Sequence, residues 1–280
     1  MKKVLYLPLL LLLAILVQGC ASSKFVLADN SPLAIVSIEG TQLVPWYEVD
    51  MNDDDDDAND KNGVLNTLVN KMIGSDDPEI MKAVDRLDYL DDSLRVNLEQ
   101  LAGCKVLGKN DVLQSSFYKR MASSILNTAS GTKTATGYKN FSNIGGKKAR
   151  MLLNELNAKS LLIVYFESYK EVVKGTRRNG LLAARVFLKA KVIDEKGKEI
   201  ADKTYVVNSS RAIEIESSYY DKDEFLNLIS EASDLAVKKF AFDFTEGTVE
   251  SSSSKEAEVN GTPITIKQKT DASPSNEEKQ

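Results

Sequence analysis

No histidine occurs anywhere in the 280 residues. That absence removes Ser-His-Asp and Cys-His nucleophile systems, histidine metal ligands and the commonest general base, which argues against most hydrolases. Cysteine is nearly as scarce, with Cys20 and Cys104 alone. The N-terminal reading below commits Cys20 to a lipid, so no disulfide is left to form within the chain. Cys104 follows Gly103 and opens an apolar segment, the setting of a packed core thiol rather than a reactive one. There is also no long basic tract, and the formal charge is −5, which makes nucleic acid and anionic headgroups poor partners. The longest apolar run, Val4 to Val17, falls short of the roughly 20 residues that a membrane-crossing helix needs.

That short run is informative for what flanks it. Lys2 and Lys3 precede it and Gln18-Gly19-Cys20 follow, the pattern of a cleaved export signal with a small residue just before a cysteine. Val17-Gln18-Gly19-Cys20 resembles the bacterial lipobox, although Gln18 is a less usual residue at its position. The resemblance implies a signal peptide over residues 1–19, lipid (palmitate-type) attachment at Cys20 and a mature chain that stays on a membrane. Each buried acyl methylene contributes about 0.8 kcal/mol, so two or more chains on one cysteine anchor stably where one binds marginally. Ala21 and Ser22 lack the aspartate that often retains lipoproteins in the inner membrane, which favours the outer membrane. Residues 20–31 then read as a lipidated tether.

With 42% hydrophobic and 28% charged residues, the remainder has the balance of an ordinary globular protein with solvated tails. A single α+β domain is expected over residues 32–245. Residues 246–280, rich in Ser, Glu, Lys and Thr, read as a disordered tail, because they cannot bury enough apolar surface to offset chain entropy. Inside the domain, Asp53 to Asp57 with Asp50 and Asp60 form an acidic insertion, read as a solvated loop. Calcium is the sharper alternative, with Asp53, Asp55 and Asp57 as weak candidate ligands. The EF-hand spacing fails: a loop from Asp55 puts Asp60 where glycine is needed and Asn66 where a bidentate glutamate belongs, and a loop from Asp57 puts Asn62 and Leu68 there. No metal and no cofactor is therefore expected.

Periodicity supplies the elements. Leu33 to Ile38 is a buried first strand. A long helix is expected from Asp77 to about Leu101, with Ile80, Val84, Leu87, Leu94, Leu98 and Leu101 on one stripe, and Gly103 ends it. Cys104 to Gly108 reads as a second short strand, followed by a helix carrying Val112, Leu113, Phe117, Met121 and Ile125. Residues 127–143 read as a loop and 147–156 as another helix. Leu161 to Phe166 suits a central strand continuing to Lys174. A turn at Arg177 to Gly180 and a hairpin turn at Asp194 to Lys198 then define two further antiparallel strands. The last helix runs from Asp221 or Asp223 to about Phe240. The expected fold is α+β, a small mixed or antiparallel sheet of about four to five strands with helices on at least one face.

Several of these segments together resemble envelope lipoproteins of the LpoB, CsgG and TolB amino-terminal type. They are the helix ending in Leu101-Ala102-Gly103, the strand Lys105-Val106-Leu107, the helix-to-strand passage Leu156 to Val164, the hairpin Val192 to Ile200 and the closing helix to Phe240. The resemblance implies action by protein contact: activating a cell-wall synthase, building a secretion pore, or serving a translocation system. It implies no catalysis by this domain. The pore role is disfavoured, because the hairpin from Leu181 to Ser210 alternates over only part of its length and carries Arg185, Lys189, Lys191, Asp202 and Lys203.

Other motifs have bland explanations. Ser116-Phe117-Tyr118-Lys119 matches the Ser-x-x-Lys of acyl-transfer enzymes without its companion motifs. Gly145-Gly146-Lys147 could hold a phosphate on free amides but lacks the P-loop spacing. Trp46, the sole tryptophan, and Tyr47 either pack on the end of the first strand or form a contact anchor, and Tyr219 and Tyr220 invite the same two readings. The sequence thus predicts a non-enzymatic envelope lipoprotein, anchored to a membrane by lipid on Cys20, that binds another envelope protein and no nucleic acid. An oligomeric secretion or pore subunit and a calcium-binding surface adhesin stand as alternatives, and self-association stays open.

Overall fold

The computed structural model describes residues 25–47, 79–80, 82–123, 131–141 and 143–245. Cys20, the acidic run with Asp53, Asp55 and Asp57, and the expected tail at 246–280 lie outside the described residues.

Eight strands and five α-helices follow in order among the described residues: β1 (Leu33–Thr41), β2 (Leu43–Val44), β3 (Glu79–Ile80), α1 (Ala83–Ala102), α2 (Lys109–Gln114), α3 (Ser116–Arg120), β4 (Thr132–Thr134), α4 (Gly146–Leu156), β5 (Ser160–Gly175), β6 (Gly180–Asp194), β7 (Glu199–Asn208), β8 (Ile213–Ile215) and α5 (Lys222–Asp243). The main sheet runs β4-β1-β5-β6-β7, with β8 paired to β6, and β2 pairs with β3. Within it β1 and β5 are parallel while the other pairings are antiparallel. The fold is thus a mixed α+β sheet with helices on both faces, which meets the expectation of a small mixed or antiparallel sheet with helices on at least one.

Alternation in the strands assigns the two faces. Leu33, Ile35 and Ile38 of β1, Leu162, Val164 and Phe166 of β5, and the row Leu182 to Val192 of β6 lie in one buried cluster with Leu87, Leu90, Leu94 and Leu98 of α1 and Phe225, Ile229, Ala236 and Phe240 of α5. Ala34 and Val36 of β1 and Leu161 and Ile163 of β5 face the other way, into a smaller cluster with Val112 of α2, Tyr118 of α3 and Ala149, Leu152 and Leu153 of α4. Each fully buried Leu, Ile or Phe side chain is worth about 1.5–3 kcal/mol, so the larger cluster dominates stability. A bulge between Ile35 and Ser37 interrupts the β1–β5 register. Its carbonyl at Val36 accepts from the Tyr118 hydroxyl at 3.0 Å, and the Ser37 hydroxyl donates to the Lys139 carbonyl at 2.9 Å. The bulge therefore anchors α3 and the segment near 139 instead of leaving backbone groups unmet.

A buried ionic network fixes the same region to α1. Asp91, 1% exposed, accepts from Arg95 Nε at 2.8 Å and from the Tyr138 hydroxyl at 2.9 Å. Arg95 also donates to the Leu107 carbonyl and the Tyr138 hydroxyl, both at 2.6 Å. Lys109 Nζ lies 3.1 Å from Asp91 Oδ2, an ion-pair contact rather than an aligned hydrogen bond.

Several boundaries differ from the sequence expectation. The long helix begins at Ala83, not Asp77, because Glu79 and Ile80 instead form β3 against β2. Ile80 is thus off the helical stripe, Val84 is 38% exposed, and Leu90 takes its place inside. Gly103 ends the helix as expected, with φ +59° and the Cys104 amide donating to the Leu98 carbonyl. The expected strand at 104–108 is a single bridge between Leu33 and Val106, framed by two backbone hydrogen bonds. The helix after it is two short ones, broken at Ser115, whose side chain accepts from the Tyr118 amide to start α3. The polar stretch read as a loop contains β4, which needs only β1's open edge. The last helix is as expected, capped by Asp221, which accepts from the amides of Asp223 and Glu224.

Two glycines explain the phosphate-loop echo without a ligand. A Cβ on Gly146 would stand 2.7 Å from the Gly197 carbonyl, and one on Gly197 2.3 Å from the Gly146 carbonyl. The pair lets the start of α4 touch the β6–β7 turn. In the Ser-x-x-Lys motif, the Ser116 hydroxyl donates to Glu155 while Lys119 donates to Gln114, so lysine and serine address different partners.

Candidate functional site

Strands β5 and β6 outrun their neighbours, and their far ends carry the most distinctive surface among the described residues. On the face that α2–α4 cover near Leu161 and Ile163, β5 continues with Tyr165, Glu167, Tyr169 and Glu171. The register sets Tyr165 opposite Lys189, Glu167 opposite Phe187 and Tyr169 opposite Arg185. Strand alternation forces all of these to one side. The Tyr47 amide donates to the Lys170 carbonyl at 2.7 Å, which brings the Tyr47 ring alongside.

Tyr47, Tyr165, Tyr169 and Phe187 are half-buried and belong to neither core cluster. Tyr47, Tyr169 and Phe187 nevertheless pack against one another, with centroids 5.2–6.0 Å apart. The Arg185 guanidinium sits 4.1 Å from the Tyr47 centroid and 5.6 Å from that of Phe187. Its Nη1 reaches Glu171 at 3.3 Å, while its buried Nε meets no acceptor among the described residues. Below the rings lies Glu167, 4% exposed, accepting from the hydroxyls of Tyr165 at 2.8 Å and Tyr169 at 2.7 Å. Burial pushes the Glu167 carboxyl above its ordinary pKa, against the two phenol hydrogen bonds that lower it. Both phenols are raised, first by burial and then by the nearby Glu167 charge.

Alternation also separates the two sequence-predicted aromatics. Trp46 turns to the opposite face, packed against the larger core with Lys170 Nζ 4.7 Å and Arg177 Cζ 5.1 Å from its centroid. Tyr220 joins it there, 6.5 Å away edge-on, and rests on Phe225. Tyr219 is 83% exposed on a turn in which Ser217 and Ser218 both take positive φ, a strained conformation for non-glycine residues. The four expected contact residues are therefore not one patch. Trp46 and Tyr220 meet, Tyr47 heads the aromatic face, and Tyr219 projects alone.

No family model matches the sequence, and no curated protein matches it. Among solved structures, the chain is similar to the LpoB C-terminal domain from Salmonella enterica, with 10% identity, a TM-score of 0.24, and coverage of 70% of this chain and 92% of that one. It is also similar to the hypothetical protein CT253 from Chlamydia trachomatis, with 11% identity, a TM-score of 0.29, and coverage of 76% and 91%. Likenesses at these scores assign no function.

Sequence reasoning missed Tyr165, Glu167, Tyr169, Arg185 and Phe187 as a group. The signal available was the two-residue alternation on paired strands, with Phe187 breaking the polarity of its face. Chemically the arrangement offers flat rings and a guanidinium, and its carboxylate is buried beneath phenols. Among the described residues no group of three His, Cys, Asp or Glu is placed to hold a metal, and no described helix is long and apolar enough to cross a membrane.

Proposed function

We propose that this protein is an envelope lipoprotein, anchored through lipid on Cys20, whose α+β domain acts by binding another envelope protein and performs no catalysis. The observation that carries the reading is the half-buried patch of Tyr47, Tyr169 and Phe187 around Arg185, set outside both cores. Tyr, Phe and Arg are the side chains that protein interfaces favour, because they offer large contact area and a charge at small entropic cost. The lipobox-like Val17 to Cys20 supports placement on a membrane, and Ala21-Ser22 favours the outer one.

Two measurements test it. Metabolic labelling with an alkyne fatty acid should mark the protein and be lost in Cys20→Ala. A photo-crosslinking phenylalanine analogue at position 187, introduced in the cells that make the protein, should give a discrete adduct with a second protein. The same analogue at Lys238, exposed on α5, should give none. Absence of an adduct at 187 would overturn the interaction reading.

A further inference from the structure

We propose that the Arg185 face receives an acidic segment of a partner protein, which brings a carboxylate to the guanidinium and an apolar side chain to the rings of Tyr47, Tyr169 and Phe187. This inference rests on the interaction reading above and names the chemistry of the partner.

Charge complementarity carries it. A guanidinium has five N–H donors, yet among the described residues the hydrogen bonds of Arg185 run from Nη1 alone, to Glu171 at 3.3 and 3.5 Å, both at the long end for a charged pair. Nε finds no acceptor among the described residues but is sealed from solvent, so the donors open to an incoming group are those of Nη1 and Nη2. The aromatic rings beside it hold the guanidinium flat but accept no hydrogen bond in its plane. A carboxylate is the group that takes two parallel N–H bonds from such a fork. Glu167 accepts from Tyr165 and Tyr169 and makes no hydrogen bond to Arg185. Along the same face of β6, Phe187 separates Arg185 from Lys189, whose side chain is 45% exposed and lies 3.3 Å from Asp202. Successive same-face residues stand about 6.7 Å apart, so an acid beside an apolar residue matches the row.

A zero-length carbodiimide cross-link reads this directly. The variant R185K places an amine where the guanidinium stands, and carbodiimide joins that amine to a carboxylate within ion-pair distance. Intact membranes bearing full-length R185K are treated, and the linked peptides are identified by mass spectrometry. The expected result is an amide between position 185 and an Asp or Glu of a different protein, absent in R185Q. Links only within the same chain, whether to Glu171 or to the acidic run between Asp50 and Asp60, only to a second copy, or none at all would overturn the proposal. Melting of R185K is measured alongside. Should that variant fail to fold, R185Q tests the same point, by losing the photo-adduct at position 187 while keeping the native melting temperature. An adduct retained in R185Q would overturn the proposal. A photo-adduct at 187 without a carboxylate link at 185 leaves the interaction reading standing and removes this one, whereas loss of both removes the interaction reading.

Discussion

Replacing Asp91 by alanine should destabilise the domain by about 3–5 kcal/mol, the cost of stranding a buried cation whose partner has been removed. Asp91 is 1% exposed and Arg95 18% exposed at their side chains, so water can rescue the guanidinium only in part. Two hydrogen bonds vanish from Asp91 Oδ1, those from Arg95 and Tyr138, and Lys109 loses its closer acid. The Arg95 bonds to the Leu107 carbonyl and the Tyr138 hydroxyl remain, which keeps the cost from rising further. At roughly 2–4 °C per kcal/mol for a domain of this size, the melting temperature should fall by about 6–20 °C. Urea unfolding of the single variants and of D91L/R95M measures the effect as a cycle. The double replacement should recover at least half of the loss, because an apolar pair leaves no stranded charge. Hydrogen exchange should locate the damage first at residues 131–141, which Tyr138 and the Thr136–Asp88 bonds hold to α1. A loss below about 1 kcal/mol for D91A, or a double variant as weak as the singles, would refute the network as a source of stability.

Glu167 makes a pH prediction with a definite sign. Its folded pKa is raised by burial, so the folded state holds its proton longer than the unfolded chain does. Its contribution to stability is present at acid pH and is lost as pH rises from the ordinary carboxyl range through the raised folded value. Melting curves from acid to neutral pH should show that decline in the wild type and a flatter profile in Glu167→Gln. Cys104, fully buried with its thiol pushed up to about 11 by burial, should resist a thiol reagent in the native protein and react on unfolding. Gly197→Ala should cost about 1–3 kcal/mol in urea unfolding, since φ is +71° and the added Cβ would clash with the Gly146 carbonyl. Phe240→Ala should cost about 3–5 kcal/mol, as the ring is fully buried between α5 and the sheet.

Local and tertiary information divide along the range of the forces involved. Apolar periodicity alone located α4, β5, the β6–β7 hairpin and α5 to within a few residues, because each buries a continuous stripe or row that its own spacing displays. Gly103 and Asp221 marked helix ends for the same reason: capping is settled by the next three or four residues. The resemblance of Val17 to Cys20 to a lipobox is likewise a matter of local sequence. Pairing beyond the hairpins was not legible. Whether Thr132 to Thr134 forms a strand depends on the free edge of β1, nearly a hundred residues earlier in the chain. Glu79 and Ile80 leave the helix to pair with β2, a choice their own propensities do not reveal. The aromatic face required more still. Tyr47 approaches through a bond to Lys170, and Arg185 meets Tyr169 only because the β5–β6 register puts them opposite. A slip of one residue would have turned every one of these side chains to the other side of the sheet. Sequence thus determined which segments could be helix and strand, and tertiary register decided which side chains share a surface.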